Sequence, residues 1–143
     1  MKRERGSAAV EFALIAPILL GLLTAILSFG HLLHTLQLAN EALRAAARIA
    51  VVCDLNAPAI RRTVEQRVPQ LALTDAAIQL QYFPAGCDRT SCQAVTVSLN
   101  GATYQPFSWF LPAQFQMPPF ATTLPRESLE SVDAAGERNP ACI

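Results

Sequence analysis

Charge is what this chain has least of. Only 15% of its 143 residues are Asp, Glu, Lys or Arg, against 52% hydrophobic residues, and basic and acidic side chains number 11 each. A formal net charge of zero removes the electrostatic case for a nucleic-acid partner, whose phosphates call for a basic face. Histidine is scarcer still, at two. The sequence also lacks a glycine-rich phosphate loop, a Ser-His-Asp order signature, a metalloprotease helix and a dinucleotide fingerprint. Two histidines, both in one helical stretch, leave a small domain few groups for general acid–base chemistry. Asp88 with Arg89, and Arg126 with Glu127, read as turn and surface charges. These absences point to a chain that is not an enzyme and has no cofactor, metal or small-molecule substrate.

What is present in excess is apolar sequence, and it is unevenly placed. A mean hydropathy of +0.29 is high for a soluble domain and low for a polytopic membrane protein; one spanning helix plus one modest domain fits. From Phe12 to Gly30 no residue is charged, a run close to the roughly 30 Å of a bilayer core. Before it, Lys2, Arg3 and Arg5 stand against Glu4. This basic flank predicts an N-in, single-pass orientation, with the C-terminal part translocated. A cleaved secretory signal would have a shorter apolar core and polar mature sequence behind it. A lipoprotein signal would place a cysteine just after the run, whereas the first cysteine is Cys53. A plain signal anchor carrying an extracytoplasmic binding module remains as an alternative.

Glu11 separates these readings. A carboxylate at the edge of an uncharged apolar run is costly to insert. If a peptidase cuts after Gly6, Ser7 becomes the new N-terminus and Glu11 lies four residues on, on the same helix face. Between staggered neighbours, that ammonium and carboxylate would neutralise each other and set axial register, although desolvation cancels much of the Coulomb gain. The string Arg5-Gly6-Ser7-Ala8-Ala9-Val10-Glu11-Phe12-Ala13-Leu14-Ile15-Ala16-Pro17 resembles the TadE-like minor pilins (pseudopilins) of tight-adherence, type IVc pili, within the type IV pilin superfamily. The resemblance is specific over about the first 30 residues. It implies that residues 1–6 are a leader removed by an aspartic prepilin peptidase, with Gly6 before the cut and Ser7 after it. It further implies a major pilin, another minor pilin and an assembly platform as partners, with adhesion and biofilm formation as the output. A pseudopilin of a type II-like secretion system shares the processing logic but usually differs around Pro17. Pro17, Gly21 and Ala25 recur every fourth residue. Proline frees one helix carbonyl and bends or loosens the helix, and a stripe of small residues lets helices approach closely in lipid.

Beyond the apolar run, His31 to Val52 contains neither proline nor glycine. Leu32, Leu36, Ala39, Leu43, Ala46 and Ala50 mark one face, and His34, Gln37, Glu41, Arg44 and Arg48 the other. The expectation is one long helix over 7–53, membrane-spanning over about 8–30 and amphipathic over 31–52. His31 and His34 have the spacing of a helical metal pair, but no carboxylate or cysteine completes a site and they read as interfacial.

Residues 54–143 are expected to form a small extracytoplasmic α+β domain, the long helix packing on a small antiparallel sheet. Pro58 and Pro69 bracket a short helix over about 58–68. Alternation predicts strands over 76–83 and 94–99 and a last strand over 120–124. Asn100-Gly101 predicts a tight hairpin or a bulge in a longer strand reaching Tyr104. The segment 106–120, with Phe107, Trp109, Phe110 and Phe115, is expected to be a loop capping the sheet, and the tail from Ser131 irregular. A domain of about 90 residues has a thin core, and a translocated one can use disulfides as staples. Cys87 and Cys92 flank a short interstrand loop, and Cys53 and Cys142 would then tie the tail to the long helix. Three pairings remain open from sequence, and the spacings are poor for zinc.

Overall fold

The computed structural model describes residues 5–74, 76–105 and 114–143. Helix α1 runs Arg5–Val52 without a break and carries Pro17 inside it. It starts two residues before Ser7 and ends one before Cys53, close to the expected 7–53. Its C-terminal half is amphipathic as its spacing demands. Ala39, Leu43, Ala46 and Ala50 are fully buried and Leu32 and Leu36 half-buried, while His34, Gln37, Glu41, Arg44 and Arg48 are exposed. Ala42 and Ala47 widen the buried stripe. Alanine there lets neighbouring backbone approach closely without side-chain entropy cost.

Helix α2, Pro58–Arg67, begins with proline at its first turn, where no helical N–H is lost. It packs on α1 through Ile60 and Val64, both fully buried. Strands follow as β1 (Leu71–Ala72), β2 (Ile78–Phe83), β3 (Ala94–Leu99), β4 (Thr103–Tyr104), β5 (Phe115–Gln116) and β6 (Phe120–Pro125), with a 3-10 turn at Pro140–Cys142. They form two antiparallel three-stranded sheets, ordered β2-β3-β6 and β1-β4-β5. The larger sheet lays Val95, Val97 and Leu99 of its central strand against α1. Its other face carries Gln79, Gln81, Thr96 and Thr123, so the period-two alternation separates core from solvent. The fold is α+β, a long helix on a small antiparallel sheet.

Two expectations are corrected. Asn100-Gly101 starts neither a hairpin between sequence neighbours nor a bulge of one longer strand. Gly101 takes a positive φ of 71°, and the chain leaves the larger sheet there to begin β4 of the smaller one. Asn100 N–H donates to the Ala77 carbonyl, so the turn is held by the strand it leaves beside. Phe115 belongs to β5 rather than to a loop; Phe107, Trp109 and Phe110 lie outside the described residues. The tail also has local order, with a bridge between Val132 and Arg138.

Candidate processing and assembly segment

Gly6, Ser7 and Glu11 sit in the first two turns of α1, all exposed. A side chain added at Gly6 would meet nothing within 4 Å. The Ser7 hydroxyl donates to Glu11 Oε1 at 3.4 Å, a long bond whose value is to show that the two residues share one helix face. Phe12, next to Glu11, is 73% exposed. Ile18, Leu22, Ile26, Leu27 and Phe29 continue this apolar surface, which nothing else among the described residues covers. Among the described residues, one helix is long and apolar enough to cross a membrane, and its most apolar window is wholly unburied.

Pro17, Gly21 and Ala25 are likewise exposed, and nothing lies within 4 Å of a side chain added at Gly21. The Thr24 hydroxyl donates back to the carbonyls of Leu20 and Gly21, each at 2.9 Å. A polar side chain in an apolar run is thereby satisfied within its own helix.

At the end of the apolar run the domain grips the helix. His31 Nδ1 and the Tyr104 hydroxyl are hydrogen-bonded at 2.5 Å, and their rings lie tilted at 5.7 Å between centroids. Tyr104 is buried, and burial raises its phenol above its ordinary value. Beside it Thr35, also buried, donates to the His31 carbonyl. His34 points away and is exposed. Spacing alone did not pair His31 with Tyr104, because 73 residues separate them.

The C-terminal end of α1 is closed by the tail. Its last carbonyls have no partner within the helix. Val51 O accepts from the N–H groups of Glu127 and Leu129, and Val52 O from the Glu130 N–H and the Ser128 hydroxyl. Leu129, fully buried, holds a positive φ of 50° to make this return. No sequence signal marked 127–130 as a helix cap. The structure closes Cys53–Cys142 and Cys87–Cys92, with Cα–Cα distances of 5.5 and 5.0 Å. The first clamps the tail to the end of α1. The second closes the β2–β3 loop, where Asp88 Oδ1 accepts from the N–H and hydroxyl groups of both Thr90 and Ser91. These four donors hold its carboxyl far below the usual carboxylate range. Arg89 reaches Asp54 at 3.7 Å, and Arg126 donates to the Arg89 carbonyl. Among the described residues no three His, Cys, Asp or Glu stand close enough to hold a metal ion.

The family model described as TadE-like protein matches residues 6–48. No curated protein and no solved structure matches. The match begins at Gly6, takes in Ser7, Glu11 and Pro17, and ends within the amphipathic half of α1. Over residues 6–48 this chain is similar to the TadE-like family.

Proposed function

We propose that this chain is a minor pilin, or pseudopilin, that takes part in assembling a tight-adherence-type pilus. Residues 1–6 are its leader, and prepilin peptidase cuts between Gly6 and Ser7 on the cytoplasmic side. The helix spans the inner membrane over about 8–30, and residues 54–143 form the extracytoplasmic domain. The subunit is then drawn from the membrane into contact with the major pilin, a second minor pilin and the assembly platform, serving surface adhesion and biofilm formation.

The observation that carries this reading is Glu11. It shares an exposed helix face with Ser7 and borders a run from Phe12 to Gly30 without another charge. Within one copy, a new Ser7 ammonium and Glu11 lie one helical turn apart on that face. Between copies staggered by about one turn they come level, so each new charge finds a partner of opposite sign in apolar surroundings. Gly6 also suits a cleavage point. Glycine costs a helix about 1 kcal/mol relative to alanine, and in the first turn few hydrogen bonds resist its unwinding.

Two measurements test the proposal. Intact mass of the membrane-extracted protein should show loss of residues 1–6; a complete N-terminus in cells with active prepilin peptidase returns the chain to a signal-anchored module. Glu11→Ala should leave cleavage in place and reduce piliation, and full piliation of that variant would remove the register argument.

A further inference from the structure

Two grooves on the extracytoplasmic half of the molecule carry opposite charge and share no residue. One lies between α1 and the C-terminal end of α2, lined by Glu41, Arg44, Arg48 and Arg67 together with Ala45 and Ile49. The other lies in the tail, with Glu130, Asp133, Glu137 and Arg138 as its charged lining. Their formal charges are +2 and −2. Asp133 uses its carboxylate on the N–H groups of Ala135 and Glu137. Among the described residues, Arg44, Arg48, Arg67, Glu130 and Glu137 make no ion pair within the chain. These charges therefore face outward without partners.

Their heights along α1 matter. The acidic groove is fastened to the outer end of the helix, where Glu130 and Ser128 donate to the Val52 carbonyl. Arg48 lies about 6 Å and Arg44 about 12 Å nearer the membrane, at 1.5 Å per residue. Cations thus sit inward and carboxylates outward. Ser7 and Glu11 have the same polarity, about 6 Å apart. For two parallel copies, one outward shift of roughly 6–12 Å sets Arg44, Arg48 and Arg67 of the outer copy level with Glu130 and Glu137 of the inner one. The same shift raises a Ser7 ammonium toward the neighbouring Glu11.

We propose that the occupant of each groove is a second copy of this chain, docked in that stagger. Because the two surfaces differ, the contact is head-to-tail and leaves one groove open at each end, which lets it propagate. An anionic lipid fits the basic groove poorly. Arg44 stands about 21 Å along the helix from Gly30, at least twice the screening length at physiological salt.

The inference rests on the pilus-subunit reading for its axial offset. Its test places the photoreactive residue p-benzoylphenylalanine at position 45 in the full-length chain, expressed in its own membrane. Irradiation should yield a dimer whose cross-linked peptide falls within 127–143. R44E/R48E in the photoreactive copy should lower dimer yield about fivefold, the order expected for two exposed ion pairs, and E130R/E137R in the other copy should restore it. Cross-links only to a different protein, an unchanged yield after R44E/R48E, or no restoration by the paired reversal would each overturn the proposal. Intact mass on the same membranes separates the two readings. Leader removal without the dimer rejects this contact alone, whereas the dimer with an intact leader keeps the contact and rejects the pilin reading.

Discussion

Removing the two disulfides separately should give unequal losses of stability. Cys53–Cys142 has a sequence separation of 89 and Cys87–Cys92 one of 5. In the chain-entropy treatment, a cross-link restrains the unfolded chain by an entropy that grows with the logarithm of the closed loop. A loop of about 90 residues gives about 15 cal/mol/K, or about 4.6 kcal/mol at 25 °C; one of about 6 residues gives about 2.2 kcal/mol. The first figure is comparable with the whole stability of a small domain, for which about 0.05–0.15 kcal/mol per residue is usual. Burial does not alter the gap, because each bridge joins a buried cysteine, Cys53 or Cys92, to a half-buried one, Cys142 or Cys87. The assay is proteolysis of the domain formed by residues 54–143 across a urea series, with the full-length chain in nanodiscs. With a urea slope of about 1.5 kcal/mol/M, C53A/C142A should lower the midpoint by roughly 3 M and C87A/C92A by roughly 1.5 M. Equal shifts, or a larger one for C87A/C92A, would refute the loop-size reasoning.

Other expectations follow from single contacts. Leu43→Ala, at a fully buried position facing the sheet, should cost about 2–5 kcal/mol in the same urea assay, while Arg44→Ala beside it should change little. Tyr104→Phe removes the hydroxyl bonded to His31. The imidazole is exposed and returns to water, so the loss should be about 1 kcal/mol, well below that of Leu43→Ala. Burial raises the Tyr82 and Tyr104 phenols above their ordinary value near 10. The folded chain therefore holds protons that the unfolded chain releases, and stability is retained below pH 10 and lost as pH rises above it. Urea midpoints taken between pH 8 and 11 should fall only over the upper part of that range, and Tyr82→Phe should flatten the fall.

Much of the helix was legible because its information is local. The positions Leu32 to Ala50 recur at three and four residues, and a helix places such positions on one face wherever it packs. Strands β2 and β3 were legible for the same reason, their alternation being a property of the strand. Segment Asn100 to Tyr104 was not. Its turn residues state that the chain bends, but the choice between pairing back and crossing to another sheet depends on β6 already holding the free edge of β3. The cap made by residues 127–130 was also hidden, because nothing in a polar stretch announces that its backbone N–H groups will meet carbonyls some 76 residues earlier.

The candidate site divides the same way. Gly6, Ser7, Glu11 and the uncharged run after them are adjacent in the chain, and hydropathy with helical spacing suffices to place the Glu11 carboxylate one turn from Ser7 at the edge of that run. That much the sequence by itself determined. The His31–Tyr104 contact, the tail closed over the end of α1 and the heights of the two charged grooves were decided only by tertiary structure. Each joins residues far apart in the chain, and no local periodicity carries the loop closures that bring them together.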